Sequence, residues 1–348
     1  VWYNSIFFPL SEISTSITIG LIVWYAGFNN VAVENSISLG TIFLFIQLSQ
    51  MLFRPLRQIA DKFNTLQMGM VAANRVFKIL DTKENLNDSG KIRDEIIKGK
   101  ISFENVNFEY EKNTPVLRNI SLSIKKGERI AIVGPTGSGK STIIKLILRF
   151  FELENGKISI DNINIKDYSI KNLRSQIELV SQDIFLFADS IYNNISLFNK
   201  KITKQDVERA AKDIGILEFI NSLPGGFNYN VKERGVMLSE GQRQLISFLR
   251  AYVSNPKILI LDEATSSIDS RTEQLIQYAT NKIIAGKTSI IIAHRLSTIL
   301  NADKILFIDN GEIREYGAHK ELIKIENGYY RKLFDYQFQD TELLNQIS

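Results

Sequence analysis

A glycine-rich stretch in the middle of this chain restricts its possible folds more than any other feature of the sequence. The stretch consists of Gly134, Pro135, Thr136, Gly137, Ser138, Gly139, Lys140 and Ser141. It follows an apolar, β-branched run at 130–133 and precedes an apolar run at 142–151. Strand, glycine-rich loop and helix in this order form a loop whose backbone N–H groups and helix N-terminus face phosphate oxygens. We therefore predict an α/β domain that binds a nucleotide.

Three side chains at the end of this loop are candidates for contacts with the nucleotide and its metal ion. Lys140 is expected to reach the β- and γ-phosphates of ATP, and the Ser141 hydroxyl is expected to bind Mg²⁺. Thr142, at the start of the apolar helix, is assigned to the same binding site. The predicted cofactors are therefore ATP and Mg²⁺.

Two acidic residues end a second apolar run. Residues 258–261 are all apolar, as in a parallel strand that is covered on both faces, and Asp262 and Glu263 follow directly. In open α/β sheets, ligands bind at the C-terminal ends of such strands. We predict that Asp262 holds Mg²⁺ through water and that Glu263 is the general base that polarises the attacking water. The alternative is that these acids cap a helix.

The two histidines of the chain differ in the support that the sequence gives them. His294 follows another predicted buried strand, at 288–293, so its imidazole N–H is expected to reach the γ-phosphate. The alternative is a structural histidine with its hydrogen bonds satisfied inside the fold. His319 has no comparable position and is interpreted as a capping or packing residue.

The start of the chain is far more apolar than the rest. No charged residue occurs between Glu12 and Glu34 or between Glu34 and Arg54. Each gap is roughly 20 residues, the length that a helix needs to cross a bilayer core. We therefore predict two membrane-spanning helices, with a pair of buried helices in a soluble protein as the alternative. The basic residues that follow the second gap indicate that the C-terminal side is cytoplasmic.

Composition and chain order define the expected domains. Residues 1–80 are predicted to be a partial transmembrane domain that ends in a cytoplasmic helical extension, 81–100 a polar linker, and 101–340 the ATP-binding domain. The chain opens on Val-Trp-Tyr without Met, and we interpret this start as a truncation, with further spans upstream. A net charge of +4 gives no indication of nucleic-acid binding, and the absence of cysteine excludes disulfides and thiolate metal sites.

A stretch between the glycine-rich loop and the Asp-Glu pair resembles the signature of the ATP-binding cassette (ABC) transporter family. It reads Leu-Ser-Glu-Gly-Gln over 238–242, and Glu240 stands where the family usually has Gly. The resemblance implies a RecA-like α/β core with a helical subdomain. It also implies that Ser239, Gly241 and Gln242 lie at a helix N-terminus that contacts the γ-phosphate of an ATP held by the opposing subunit.

Further positions match the family one by one. By resemblance, Tyr110 stacks on adenine, although an edge-strand aromatic is the alternative reading of the sequence. Gln182 corresponds to the residue that contacts Mg²⁺ or the attacking water and couples the site to the membrane helices. Asp269 corresponds to the loop that crosses the dimer interface, and His294 to the family's histidine loop.

The exporter branch of the family is the most similar. Residues 53–56 resemble the end of the sixth spanning helix, and 233–235 resemble an exporter loop that touches the partner's intracellular helices. This resemblance implies half of a dimeric exporter in the cell membrane, paired with a copy of itself or with a different half. It also implies a cytoplasmic ATPase domain and a small amphipathic cargo such as a drug or lipid. A soluble non-transport ABC ATPase, an importer ATPase and a half with a degenerate, non-hydrolysing site are the alternatives.

Overall fold

The computed structural model describes residues 2–32, 38–82, 88–262, 269–293 and 296–336. The chain divides into two compact units, Val1–Glu84 and Asn85–Ser348. The first unit is built from helices, whereas the second combines two β-sheets with helices.

The first unit consists of helices α1 (Trp2–Ala32) and α2 (Leu39–Leu80), which pack against each other. Ser38 caps α2 by accepting a hydrogen bond from the Thr41 backbone N–H at 3.2 Å, and the helix continues through Pro55. Large apolar side chains of both helices are exposed within this chain. Of the helices in the described part of the chain, none combines the length and the apolar composition needed to cross a membrane. The two spans stay a prediction.

The second unit contains two sheets. The strands are β1 (Ile101–Glu109), β2 (Pro115–Ile124), β3 (Arg129–Val133), β4 (Asn155–Ile160), β5 (Ile163–Asn164), β6 (Ile177–Val180), β7 (Ile258–Asp262), β8 (Thr288–Ile292), β9 (Lys304–Asp309) and β10 (Glu312–Gly317). Within the described residues, β2-β1-β4-β5 form an antiparallel sheet. The order β10-β9-β3-β8-β7-β6 forms a second sheet that is parallel except at its edge strand β10. The predicted α/β class is confirmed for this unit.

Helices surround the parallel sheet and add a separate helical layer. They are α3 (Lys140–Ile147), α4 (Ile170–Ser175), α5 (Ile191–Ser196), α6 (Lys204–Asp213), α7 (Leu217–Ser222), α8 (Glu240–Ser254), α9 (Ser270–Ile284), α10 (Leu296–Leu300) and α11 (His319–Leu322). Helices α5, α6 and α8 contact one another, and their apolar side chains join a core that continues under the sheet. A second apolar core lies between the two sheets.

The order of the central strands determines where the site forms. Strand β8 lies between β3 and β7, and all three run parallel, with Ile292 opposite both Ile132 and Asp262. Because parallel strands end at the same edge, the glycine-rich loop after β3 and the carboxylate that ends β7 come together at this edge. The strands are largely buried, which explains why most of their residues are apolar.

Helix α3 is shorter than the sequence indicates. The apolar run extends to Phe151, but the helix ends at Ile147 because Arg149 adopts a left-handed backbone with φ of 51°. The Arg174 guanidinium donates to the Leu148 carbonyl at 3.0 Å and to the Arg149 carbonyl at 2.9 Å. These bonds satisfy carbonyl groups that the end of the helix leaves without a partner.

Residues 88–100 of the predicted linker belong to the second unit. Ile97 is buried, and its N–H donates to the Gln176 side chain at 2.7 Å. The Asp161 carboxylate accepts hydrogen bonds from the backbone N–H groups of Lys98 at 2.5 Å and Lys100 at 3.0 Å. Gly90 contacts the Tyr168 carbonyl so closely that a Cβ atom would not fit. This part of the segment is therefore fixed by specific contacts.

Candidate nucleotide-binding site

The glycine-rich loop between β3 and α3 has the geometry that the sequence predicts. Gly134 has a φ of 144°, and a Cβ atom there would collide with the Ile308 carbonyl oxygen. Gly139 has a φ of 104°, and a Cβ atom there would lie 2.6 Å from a methyl group of Leu117. Only glycine fits these two positions, which lie on either side of the turn and direct the chain into α3.

Lys140 begins α3, and its ammonium group is folded back onto the loop. The Nζ atom donates to the carbonyl oxygens of Gly134 and Pro135, both at 2.8 Å. Burial lowers the pKa of Lys140, and the negative charge of Asp262 opposes this effect. A phosphate group could take the place of these carbonyl partners and would stabilise the protonated form far more strongly.

A cavity of about 590 Å³ opens in front of the loop. Its walls include nine residues that the sequence assigns to the site, namely Tyr110, Thr136, Gly137, Gly139, Lys140, Ser141, Thr142, Gln182 and Asp262. Val116, Lys145 and Ile292 complete the walls, and the sequence did not single them out. The structure thus brings Tyr110, the glycine-rich loop, Gln182 and Asp262, which are far apart in the chain, to one cavity.

Three assigned loop residues do not line this cavity. Gly134 and Pro135 serve instead as carbonyl partners of Lys140. Ser138 is buried, and its hydroxyl has no hydrogen-bond partner within the described part of the chain. The carbonyl groups of Gly134 and Pro135 therefore hold the Lys140 side chain against the loop.

Tyr110 lies in the wall of the cavity beside Thr142. Its hydroxyl lies 3.1 Å from the Thr142 hydroxyl, within hydrogen-bond distance. The ring makes edge-to-face contacts with Phe108 and Phe151, with ring centres 4.9 and 5.1 Å apart. Tyr110 remains 44% exposed, so part of its ring is open to a planar ligand.

The three residues assigned to Mg²⁺ share the cavity. Ser141, Gln182 and Asp262 offer a hydroxyl, an amide oxygen and a carboxylate, which are the hard oxygen ligands that Mg²⁺ prefers. No group of three or more His, Cys, Asp or Glu side chains within the described residues could hold a metal ion by itself. Mg²⁺ usually keeps several waters and binds through few carboxylates together with substrate phosphates, so this donor set fits the ion.

The signature segment lies outside this cavity. Ser239 is the N-cap of α8, and its hydroxyl accepts from the Gln242 backbone N–H at 3.2 Å. The Gln242 side chain accepts from the Ser239 backbone N–H at 3.0 Å, which completes a capping box. Gly241 is buried in the first turn. The predicted helix N-terminus is present, but none of these residues faces the cavity of the same chain.

Asp269 is also used as a helix cap. Its carboxylate accepts from the Thr272 backbone N–H at 2.9 Å at the start of α9. This hydrogen bond lowers the pKa of Asp269.

Glu263 and His294, the predicted base and γ-phosphate contact, lie outside the described residues. His319 hydrogen-bonds the buried Tyr330 hydroxyl through Nδ1 at 2.7 Å.

A second groove, of about 740 Å³, adjoins the nucleotide cavity. Gln182 lines both, and the groove also includes Phe185 and the side chains of Arg234, Glu240 and Arg243 around the start of α8. Arg250, further along α8, donates to the Asn194 carbonyl at 2.9 Å and lies 3.4 Å from the Phe185 carbonyl oxygen. Gln182 therefore connects the cavity to a surface formed by the signature helix.

The fold and the site define an ATPase domain of the P-loop class, with a signature helix of the ABC type. Residues 117–266 match the sequence profile of the ABC transporter family. This chain belongs to that family.

Named relatives and a solved structure agree with this assignment. A probable multidrug resistance ABC transporter ATP-binding/permease protein of Bacillus subtilis (strain 168) is 41% identical over 310 residues, covering 89% of this chain and 46% of that protein. The ATP-dependent lipid A-core flippase of Haemophilus influenzae (strain 86-028NP) is 42% identical over 337 residues, covering 96% and 57%. A bacterial Atm1-family ABC exporter with ATP bound superposes with a TM-score of 0.70 at 33% identity, covering 96% and 57%. The chain spans about half the length of these proteins.

Proposed function

We propose that this chain hydrolyses ATP to drive export of a small amphipathic compound across the cell membrane, as one half of a dimeric ABC exporter. The observation that carries the proposal is the division of the site. One cavity is lined by the loop, Gln182 and Asp262, whereas Ser239 caps a helix whose start lies outside that cavity. A second chain would supply the missing signature helix.

The reaction that this cavity supports is phosphoryl transfer to water. Lys140 and the loop N–H groups would bind the phosphates, and Ser141, Gln182 and Asp262 would hold Mg²⁺, which neutralises charge on the β- and γ-phosphates when bound. Glu263, directly after Asp262, would orient and polarise the attacking water. Ser239 and Gly241 of the partner would then face the γ-phosphate.

The proposed partner is a second copy of this chain, because one sequence provides every element of the composite site. If the chain does not pair with itself, its partner is a different half-transporter. ATP can favour the closed pair only through the contacts that it gains from the second signature helix. Closure of the pair would be transmitted to the membrane part through Gln182 and the adjoining groove beside Arg234 and Glu240.

The membrane location rests on the first unit and on the relatives. Its large apolar side chains are exposed within this chain, as in Ile17, Trp24 and Phe43, and an apolar surface of this kind needs lipid or further helices to cover it. We propose that the unit belongs to the membrane domain, with the ATPase unit in the cytoplasm. The names of the relatives include a lipid A-core flippase and a multidrug resistance protein, which supports an amphipathic cargo.

This proposal is tested by measuring hydrolysis of Mg-ATP by the 348-residue chain in lipid nanodiscs. The Glu263→Gln variant is the comparison. We expect the variant to lose hydrolysis by about 10²–10⁴-fold, because it lacks the general base, and to keep its affinity for ATP. An amphipathic lipid or dye should change the wild-type rate. A wild-type chain that does not bind or hydrolyse ATP would contradict the proposed function, and undiminished hydrolysis by Glu263→Gln would remove that residue from the mechanism.

A further inference from the structure

A second lysine faces the nucleotide cavity besides Lys140. Lys145 lies on α3, is exposed and lines the cavity. Its ammonium nitrogen lies 5.5 Å from the centre of the Tyr110 ring, within the range of a cation–π contact. Neither the glycine-rich loop pattern nor the signature includes this position.

The position of Lys145 on α3 and its contact with Tyr110 define its surroundings in the cavity. It lies three positions after Thr142, so the two residues share a face of α3, and long helical side chains lean back toward the N-terminus. The Thr142 hydroxyl lies 3.1 Å from the Tyr110 hydroxyl. The ammonium group of Lys145 therefore lies over the ring of Tyr110, whose hydroxyl contacts the first turn of α3.

The two lysines of the cavity differ in their protein partners. Lys140 donates to two carbonyl oxygens of the loop. In the described part of the chain, Lys145 contacts the Tyr110 ring and forms no ion pair with a carboxylate. Lys145 thus presents a positive charge to the cavity without an ion pair to a carboxylate among the described residues.

We propose that Lys145 is a nucleotide-binding residue whose ammonium group contacts the part of the ligand between the base and the β-phosphate. The inference rests on the proposed function, in which the terminal phosphates occupy the loop and the base stacks on Tyr110. A nucleotide in that position must run its ribose and α-phosphate past Lys145. The α-phosphate is the anionic group on this path, so the contact is electrostatic and does not depend on the γ-phosphate.

This inference is tested by measuring the affinities of Mg-ATP and Mg-ADP for the 348-residue chain. Calorimetry at low and at high salt gives both values. Lys145→Met keeps an unbranched stem against the Tyr110 ring but removes the charge, and Lys145→Arg keeps the charge. Lys204→Met is the matched control, because the Lys204 ammonium lies 5.8 Å from the Tyr192 ring, outside the residues that line the cavity. This control removes a similar cation–π contact elsewhere in the unit.

We expect Lys145→Met to raise the Kd of Mg-ATP and Mg-ADP by the same factor, about three- to tenfold at low salt. The factor should shrink at high salt because ions screen an exposed charge. Lys145→Arg should stay close to wild type, and Lys204→Met should change neither affinity.

Three results would overturn the inference. One is an unchanged Kd in Lys145→Met while the wild type binds ATP normally, which would leave the proposed function intact. Another is an equal loss in Lys145→Met and Lys145→Arg, which would indicate a packing role for the side chain. The third is a loss for ATP without a loss for ADP, which would place the contact at the γ-phosphate. A wild type that binds neither nucleotide would instead overturn the proposed function on which the inference rests.

Discussion

Helices α3 and α8 both begin at a candidate ATP contact, but their N-termini differ. At the start of α3, the N-cap residue Gly139 makes no side-chain hydrogen bond, and the helix opens onto the cavity. At the start of α8, Ser239 and Gln242 form a complete capping box, and the helix start is outside that cavity. Each helix carries the positive end of its dipole at this point.

The difference separates two kinds of anion site. The uncapped end of α3 opens onto a cavity lined by Lys140, Lys145 and the curled loop, so one chain alone provides a place for the phosphates. The end of α8 is stable without a ligand, because its own side chains satisfy two of the backbone N–H groups of its start. A γ-phosphate presented by a second chain would therefore compete with this cap, which makes α8 suited to a contact that forms and breaks in each cycle.

The largest effect is expected from removing the charge at the α3 end. Lys140→Ala should abolish tight binding of Mg-ATP and lower hydrolysis by about 100-fold or more, because the cation that faces the phosphates is lost. Lys204→Ala is the control, since Lys204 is likewise the first residue of a helix but does not line the cavity. Calorimetry and a phosphate-release assay measure the two effects. Hydrolysis within about threefold of wild type would show that the α3 end is not the phosphate site.

A smaller effect is expected at the α8 end, and it has two parts. Ser239→Ala removes the cap and should lower stability by about 1 kcal/mol, seen as a decrease in Tm of about 2–4 °C. The variant should still bind ATP in the cavity, but hydrolysis should fall by about tenfold or more because the second contact with the γ-phosphate is lost.

Thr203→Ala separates the two parts of this prediction. Thr203 caps α6 through the same kind of capping box, with Asp206 as its partner. This variant should lose a similar amount of stability and keep its rate of hydrolysis. Equal rates in Ser239→Ala and Thr203→Ala would reduce the role of Ser239 to helix capping and remove the contrast between α3 and α8.

Local sequence patterns made much of the fold and of the glycine-rich loop predictable. The glycine-rich loop, the apolar runs of β3, β7 and β8, and Asp262 at a strand end are each recognisable within about ten residues, because their chemistry depends on neighbours in the chain. The parallel sheet then brings the strand ends together. The Ser-x-x-Gln pattern of a capping box also stands at Ser239, although the start of this helix was predicted only from the family resemblance.

Contacts between distant segments were not predictable in this way. The shortened α3 depends on Arg149 and on capping by Arg174, which is 25 residues away in the chain. The segment 88–100 appears as a polar linker in the sequence, yet Asp161 and Gln176 hold part of it in place. Lys145 became a candidate only when the structure placed it over Tyr110, although its position five residues after Lys140 on a helix that leaves the loop is a signal that could have been used.

The composite nature of the site is tested most directly by mixing Lys140→Ala chains with Ser239→Ala chains and measuring hydrolysis of Mg-ATP. In a mixed pair, the intact loop of one chain meets the intact α8 start of the other, so one of the two sites is complete. Hydrolysis should therefore return to roughly a quarter of the wild-type rate, because half of randomly formed pairs are mixed and each holds one complete site of two. A mixture that hydrolyses no faster than its two components, with both variants folded, would contradict a site shared between two copies of this chain.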